Sequence, residues 1–282
     1  MRILRDPAMD ANKTELDHPS RKGDFHVRSC SAPWTEVVYS TRRLTTLDGS
    51  VVPMDVYIPR EEGEFLYSIV RELRPEVTVE VGMANGISTC FIATALSENG
   101  GGRHIAIDPF QRTEWGGAGL ALLEKAGVKS RAELIELPSH QALPDLERRG
   151  IRPGFAFIDG SHLFDYVMAD FLCIDRLLPT GGVVAFDDSD WPAVIAVLRY
   201  VLTNRHYEIA YPGVIIEGVR NTPTRSARAL RSLAHLSPKL ASKLKPEFLI
   251  PTYDLGIRGR CVVLRKTASD DRNNQSRFHN PF

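Results

Sequence analysis

Three aspartates and one histidine stand at intervals that could do chemistry. Asp159 and His162 are three residues apart in Asp159-Gly-Ser-His162, and the pair Asp187-Asp188 follows the apolar run Val183-Val-Ala-Phe186. If both runs are neighbouring parallel strands, these carboxylates lie about 5 Å apart laterally. Two unit charges 4 Å apart repel by roughly 4 kcal/mol at an effective dielectric near 20. Such a cluster must take up protons or hold a cation. Hard oxygen donors favour Mg²⁺ or Ca²⁺, and no Cys or His pair offers a zinc site. The alternative assignment has one Asp capping the next segment, one binding a cofactor amino group and one in solvent. Asp190, just before Trp191, is expected as a helix cap. His162 can take a proton near neutral pH and is the candidate general base, with His140 as its rival. A helix cap or a cofactor contact is the other reading of His162.

A second constellation precedes it. Glu80-Val-Gly82-Met83-Ala-Asn85-Gly86-Ile-Ser88 follows a β-branched run, and its glycines let backbone turn sharply near a ligand. The spacing is G-x-x-x-G, not the dinucleotide G-x-G-x-x-G. Glu80 would repel a pyrophosphate, so a ligand bearing positive charge suits this loop better. Asp108 closes the next apolar run, where an acidic side chain accepts hydrogen bonds from ribose hydroxyls. The plain alternative is a strand-to-helix turn in a sheet without cofactor.

The elements that must position these groups are legible between residues 63 and 212. Short apolar strands at Val77–Val81, His104–Asp108, Ala132–Leu137, Phe155–Asp159 and Val183–Asp187 alternate with helical patterns. Those helices are expected at about 65–73, 87–96, 119–126, 163–178 and 192–202. Strands that apolar imply a parallel sheet covered on both faces. Right-handed crossovers then bring every strand's C-terminal end to one edge, where such sheets bind ligands. Glu80, Asp108, Ser139, Asp159 and the pair Asp187-Asp188 all fall there.

The 282 residues are 43% apolar and 25% charged, which is globular composition. Lys+Arg and Asp+Glu are both 35, so no net field would steer the chain to nucleic acid or anionic lipid. The four scattered cysteines form no C-x-x-C pair, and reduced thiols in a cytoplasmic protein are expected. The charged start and the lack of an 18-residue apolar run predict neither a signal peptide nor a membrane span.

The ordered set E-V-G-x-x-x-G-x-S, I-D, F-I-D-G-S-H and L-L-P-x-G-G-V-V-A-F-D-D resembles a class I S-adenosylmethionine-dependent methyltransferase. It is similar in particular to the Mg-dependent small-molecule O-methyltransferases of the catechol and macrolide-sugar types. The likeness covers about residues 60 to 212 and the last strand. It implies a Rossmann-like α/β fold with a mostly parallel seven-stranded sheet. It also implies O-methylation of a small hydroxylated acceptor. By the resemblance Glu80, Gly82, Gly86 and Ser88 line the methionine end of S-adenosylmethionine, and Asp159 adjoins it; Met83 and Asn85 either contact the cofactor with them or simply shape the turn. Asp108 would hold the ribose, and Ser139 lies where the family contacts adenine. The family's Mg²⁺ ligands fall on Asp159, Asp187 and Asp188. Macrolide-sugar relatives place a histidine where His162 stands, and catechol-type relatives a lysine. The D-G-S-H sequence replaces the N/D-P-P-Y/F of base-methylating enzymes, which disfavours nucleic-acid substrates.

The methyltransferase domain is expected over 61–266, with a basic insertion at 218–250 and a polar, disordered tail at 267–282. The N-terminal extension, 1–60, reads as polar and irregular, and is expected to cover the pocket or to pair subunits in a homo-oligomer. Two other functions fit the same sheet. One is an oxidative enzyme of the cephalosporin hydroxylase-like kind, which would prefer a 2-His-1-carboxylate iron site. The other is a non-catalytic partner protein that keeps a cofactor site. His18, His26, His206, His235 and His279 lie outside the motifs and read as surface or fold residues.

Overall fold

The computed structural model describes residues 25–211, 252–270 and 272. The insertion at 218–250 and the residues after 272 lie outside the described residues, as do His18, His235 and His279. Helix α1 (Pro33–Thr41) and a hairpin of β1 (Arg43–Thr45) and β2 (Val51–Pro53) precede the main domain. Then follow α2 (Arg60–Leu73), β3 (Val77–Val81), α3 (Ile87–Glu98), β4 (Arg103–Ile107), α4 (Ala118–Lys125) and β5 (Ala132–Ile135). The second half comprises α5 (Ser139–Arg148), β6 (Phe155–Ile158), α6 (Phe164–Leu177), β7 (Val183–Phe186), α7 (Pro192–Asn204), β8 (Tyr207–Ile209) and β9 (Val262–Lys266).

Seven strands make one sheet in the order β5-β4-β3-β6-β7-β9-β8. β3 to β7 are mutually parallel, and β9 runs antiparallel to both β7 and β8. The expected mostly parallel seven-stranded sheet is therefore present. Val79, Val81, Ile105 and Ile107 point into a core roofed by α5, α6 and α7. The alternate residues Ala106, Phe155 and Phe157 point into a second core under α2, α3 and α4. Strands buried on both faces have no polar alternation, which is why they read as continuous apolar runs. Strand order reverses at β3, because β4 and β5 extend to one side and β6 and β7 to the other. The crevice between the ends of β3 and β6 is thus the topological switch point.

Three local differences from the sequence reading have physical causes. Ser139 does not close a strand: β5 stops at Ile135, and Pro138 leads into α5 with Ser139 as its first residue. That helix carries Pro144 inside it, and it buries only Ala142, Leu143 and Leu146. Asp190 does not cap α7, since Trp191 occupies the cap position and Pro192 begins the helix. A proline at the first position has no N–H to satisfy, so the cap matters less there. The segment from 25 to 58 is less irregular than its polarity suggests. Cys30, Trp34, Val38, Leu44, Met54 and Ile58 join the core under α2 and α3. Trp34 packs edge-on against Phe91 of α3 at 4.9 Å and donates its indole N–H to Thr94.

Candidate functional site

β3 delivers the chain to Gly82, whose backbone has φ +91°, in the region where only glycine rests without strain. A β-carbon there would stand 2.0 Å from the Asp159 carbonyl oxygen, so the ends of β3 and β6 touch through this glycine. Gly86 caps α3 in the left-handed conformation, with its α-carbon against Gly119 of α4. Both glycines are therefore demanded by the close packing of the loop. Met83, Asn85 and Ser88 are buried beside it. The Asn85 amide donates to the Val56 carbonyl at 2.8 Å and ties the loop to the segment before α2.

Asp108 does more than sequence reasoning assigned it. Its Oδ2 accepts the backbone N–H of Met83 at 3.1 Å and of Ala84 at 2.7 Å, and its Oδ1 accepts that of Phe110 at 2.8 Å. Ala84 is held at φ +43°, a strained conformation for a residue with a β-carbon, so these bonds fasten a strained turn. A ribose hydroxyl would have to share Oδ1, which has accepting capacity left.

Glu80 is fully buried beneath the loop. Its Oε2 accepts from the Thr89 hydroxyl and lies 3.0 Å from His104 Nε2, while Oε1 has no partner. Ser139 sits at the foot of α5, hydrogen-bonded to Asp170 of α6. Burial pushes the Asp170 carboxyl up to about 6, against the Ser139 bond, which lowers it.

The acidic cluster forms as expected at the ends of β6 and β7. One ligand atom each from Asp159, His162 and Asp187 lies within 4.8 Å of the others. Asp188, expected as the third metal ligand, lines the same pocket but is not one of that converging trio. Its backbone turns through φ +45°, its Oδ1 meets Arg260 Nη2 at 2.9 Å, and its Oδ2 lies 3.2 Å from His162 Nε2. His162 Nε2 is also 3.6 Å from Asp159 Oδ1. The imidazole stands 5.0 Å from the Trp191 ring. His140 does not line this pocket.

Two functional residues escaped the sequence reading. Arg260, two residues before β9, places its guanidinium on both oxygens of Asp187, at 3.1 and 3.3 Å. It also reaches Glu62 of α2, at 3.2 Å. Glu62 is fully buried, and burial and the Asp187 charge push its carboxyl well up. Burial and Asp187 likewise push Asp159 well up, and Asp188 is raised by the same two causes. Burial works against the Arg260 charge, yet Asp187, Asp188 and Glu62 together hold it above the ordinary arginine value. The guanidinium is thus one of the cations that the cluster requires. The raised carboxyls left around it would take up protons or a further cation. No motif announces Arg260 or Glu62, because they lie about 200 residues apart in sequence and meet only through the fold.

Val56, Tyr57 and Ile58 line the same pocket as Asp159 and His162, together with Met83, Asn85 and Ser88. A pocket with a glycine turn at its side and an acidic end fits a ligand that carries positive charge. S-adenosylmethionine is such a ligand. The carboxylate pair Asp159 and Asp187 also fits a hard divalent ion.

Comparison with known proteins agrees on the class. The architecture is similar to that of the cofactor-bound Rv0187 from MTB, with a TM-score of 0.51 at 18% identity over 63% of this chain and 81% of that one. Residues 79–189 match the family described as a methyltransferase domain. This segment is thus similar to methyltransferase domains, and the curated relatives it matches are O-methyltransferases. Among curated relatives, the caffeoyl-CoA O-methyltransferase of Stellaria longipes is 34% identical over 138 residues, covering 48% of this chain and 55% of that protein. The flavonoid 3',5'-methyltransferase of Vitis vinifera is 30% identical over 142 residues, covering 49% of this chain and 58% of that protein. The chain thus spans little more than half the length of these relatives. Among the described residues, no helix is long and apolar enough to cross a membrane.

Proposed function

We propose that this protein transfers the methyl group of S-adenosylmethionine to a hydroxyl of a small molecule, with His162 as general base. The observation that carries this reading is the convergence of Asp159, His162 and Asp187 within 4.8 Å beside the glycine turn. When bound, S-adenosylmethionine supplies an electrophilic methyl on a sulfonium. Gly82 and Gly86 shape its groove, Asp108 Oδ1 accepts from the ribose, Ser139 lies toward the base, and Asp159 and Glu80 balance its positive end. The named activities of the curated relatives support the reaction class. Val56, Tyr57 and Ile58 keep water from the reacting end, as methyl transfer in line requires. His162 takes the acceptor's proton at Nε2, the nitrogen between Asp159 and Asp188.

A divalent ion, Mg²⁺ or Mn²⁺, would be held by Asp159 and Asp187, since two carboxylates completed by water and substrate are a common set for such ions. It would supply Lewis-acid acidification of the acceptor hydroxyl. A second role for His162, as third ligand, is favoured by its place among the converging donor atoms. The oxidative alternative is less well supported. An iron site of that kind wants two imidazoles, and the cluster offers one among the described residues. The four cysteines, all free, suit a reducing cytoplasmic setting.

The test is direct. Calorimetry should show micromolar binding of S-adenosylhomocysteine, and labelled methyl should pass from S-adenosylmethionine to members of an o-diphenol and sugar-hydroxyl panel. Absence of S-adenosylhomocysteine binding would overturn the proposal.

A further inference from the structure

Glu80 and His104 form a contact that the proposed reaction has not used. Four side chains from β3, β4 and α3 meet in a completely buried row. Thr78 Oγ1 lies 2.8 Å from His104 Nδ1, His104 Nε2 lies 3.0 Å from Glu80 Oε2, and the Thr89 hydroxyl donates to that same oxygen. Thr78, Glu80, Thr89 and His104 are each 0% exposed. The register brings them together, because Thr78 pairs directly with His104 across β3 and β4.

A carboxylate oxygen accepts, so the His104 nitrogen facing Glu80 donates to it, while Nδ1 meets the Thr78 hydroxyl. Oε2 of Glu80 is thus held by two donors, and the carboxylate plane cannot rotate freely. Oε1 is left buried with no hydrogen-bond partner. A buried carboxylate oxygen without a donor is costly, and native structures seldom tolerate one that no ligand or water completes. Glu80 lies two residues before Gly82, whose α-carbon lies against the end of β6. In the proposed binding mode the cofactor's amino-acid end lies over this turn, on the side of Glu80 Oε1.

We propose that His104 is a positioning residue for cofactor recognition. With Thr89 it pins one oxygen of Glu80, so that the other is presented to the ammonium group of the cofactor's amino-acid end, or to the water that carries it. Reading a full positive charge with one fixed oxygen gives selectivity for a nucleoside that bears an amino acid over one that does not. This inference rests on the proposed binding of S-adenosylmethionine.

Two probes separate its failure from failure of that reading. S-adenosylhomocysteine carries the ammonium, and 5'-methylthioadenosine is the same thionucleoside without the amino acid. Both are titrated by calorimetry into the wild-type chain and into His104→Phe, His104→Gln and Thr89→Val. Wild type should favour S-adenosylhomocysteine. His104→Phe should lose about tenfold to a hundredfold of that affinity, the usual worth of a charge-assisted hydrogen bond, with little change for methylthioadenosine. His104→Gln keeps a donor near the Nε2 position and should restore most of the loss. Should His104→Phe fail to fold, Thr89→Val removes the other donor to the same oxygen and should show the same selective loss. An equal loss for both probes would make His104 merely structural and overturn the inference. Equal affinity of wild type for the two probes would overturn it as well. If wild type binds neither, the cofactor assignment itself is wrong.

Discussion

His162 is the side chain on which the chemical proposal turns, and its surroundings give it a measurable signature. It stands within 3.6 Å of two carboxylates and beside an aromatic ring, in a pocket also lined by Val56, Tyr57 and Ile58. Replacing it by alanine should lower kcat by about 10²- to 10⁴-fold, the usual contribution of a general base. Affinity for S-adenosylhomocysteine should stay the same. Mn²⁺ affinity tells its two roles apart: unchanged binding in His162→Ala leaves it as base, and weakened binding makes it a ligand. Asp170, bonded to Ser139, offers a separate test. Its carboxyl is raised to about 6 by burial, so between about pH 4 and 6 the folded chain holds a proton that the unfolded chain has released. That group's effect on stability is therefore absent below pH 4, becomes increasingly unfavourable as pH rises to 6, and is complete above it. Asp170→Asn should flatten the urea-midpoint profile over this range and raise stability at pH 7 by about 1 to 3 kcal/mol. An unaltered slope would mean that Asp170 ionises normally.

Among the elements, α2 and α3 show how packing overrules propensity. Gly63 lies in the first turn of α2, where alanine would favour the helix by up to about 1 kcal/mol. A β-carbon there would stand 2.0 Å from the Phe91 ring of α3. Phe91 is itself fixed between α2 and Trp34, so the ring has little room to yield. Gly63→Ala should therefore destabilise the fold by about 1–3 kcal/mol despite its helix propensity. A raised denaturant midpoint in that variant would show that the two helices can separate at small cost. The same helix explains what the sequence hid. α2 was legible from its apolar spacing, but that its Glu62 reaches Arg260 was not. α1, α5 and β8 also went unread, because they are short or contain proline and draw their order from tertiary burial. The main strands and the long helices were legible, since each is apolar enough to declare its own burial.

At the scale of the whole molecule, the sheet order decides the charge balance of the site. β9 returns beside β7 and brings Arg260 into a group of carboxylates from α2, β6 and β7. If a divalent ion completes that group, exhaustive treatment with EDTA should abolish methyl transfer, and Mg²⁺ or Mn²⁺ should restore it. Binding of S-adenosylhomocysteine should survive the chelator. Full activity in EDTA would mean that Arg260 is the only cation the cluster needs. By itself the sequence determined the parallel sheet, the glycine turn and the acids after β6 and β7, because apolar runs, glycine spacing and strand-end polarity are local properties. Only the tertiary structure decided that Asp188 turns to Arg260, that Asp108 fastens the loop, and that Glu80 keeps one oxygen free. Those facts depend on which distant side chains arrive within 3 or 4 Å, and that proximity is set by strand order and register, which no local pattern encodes.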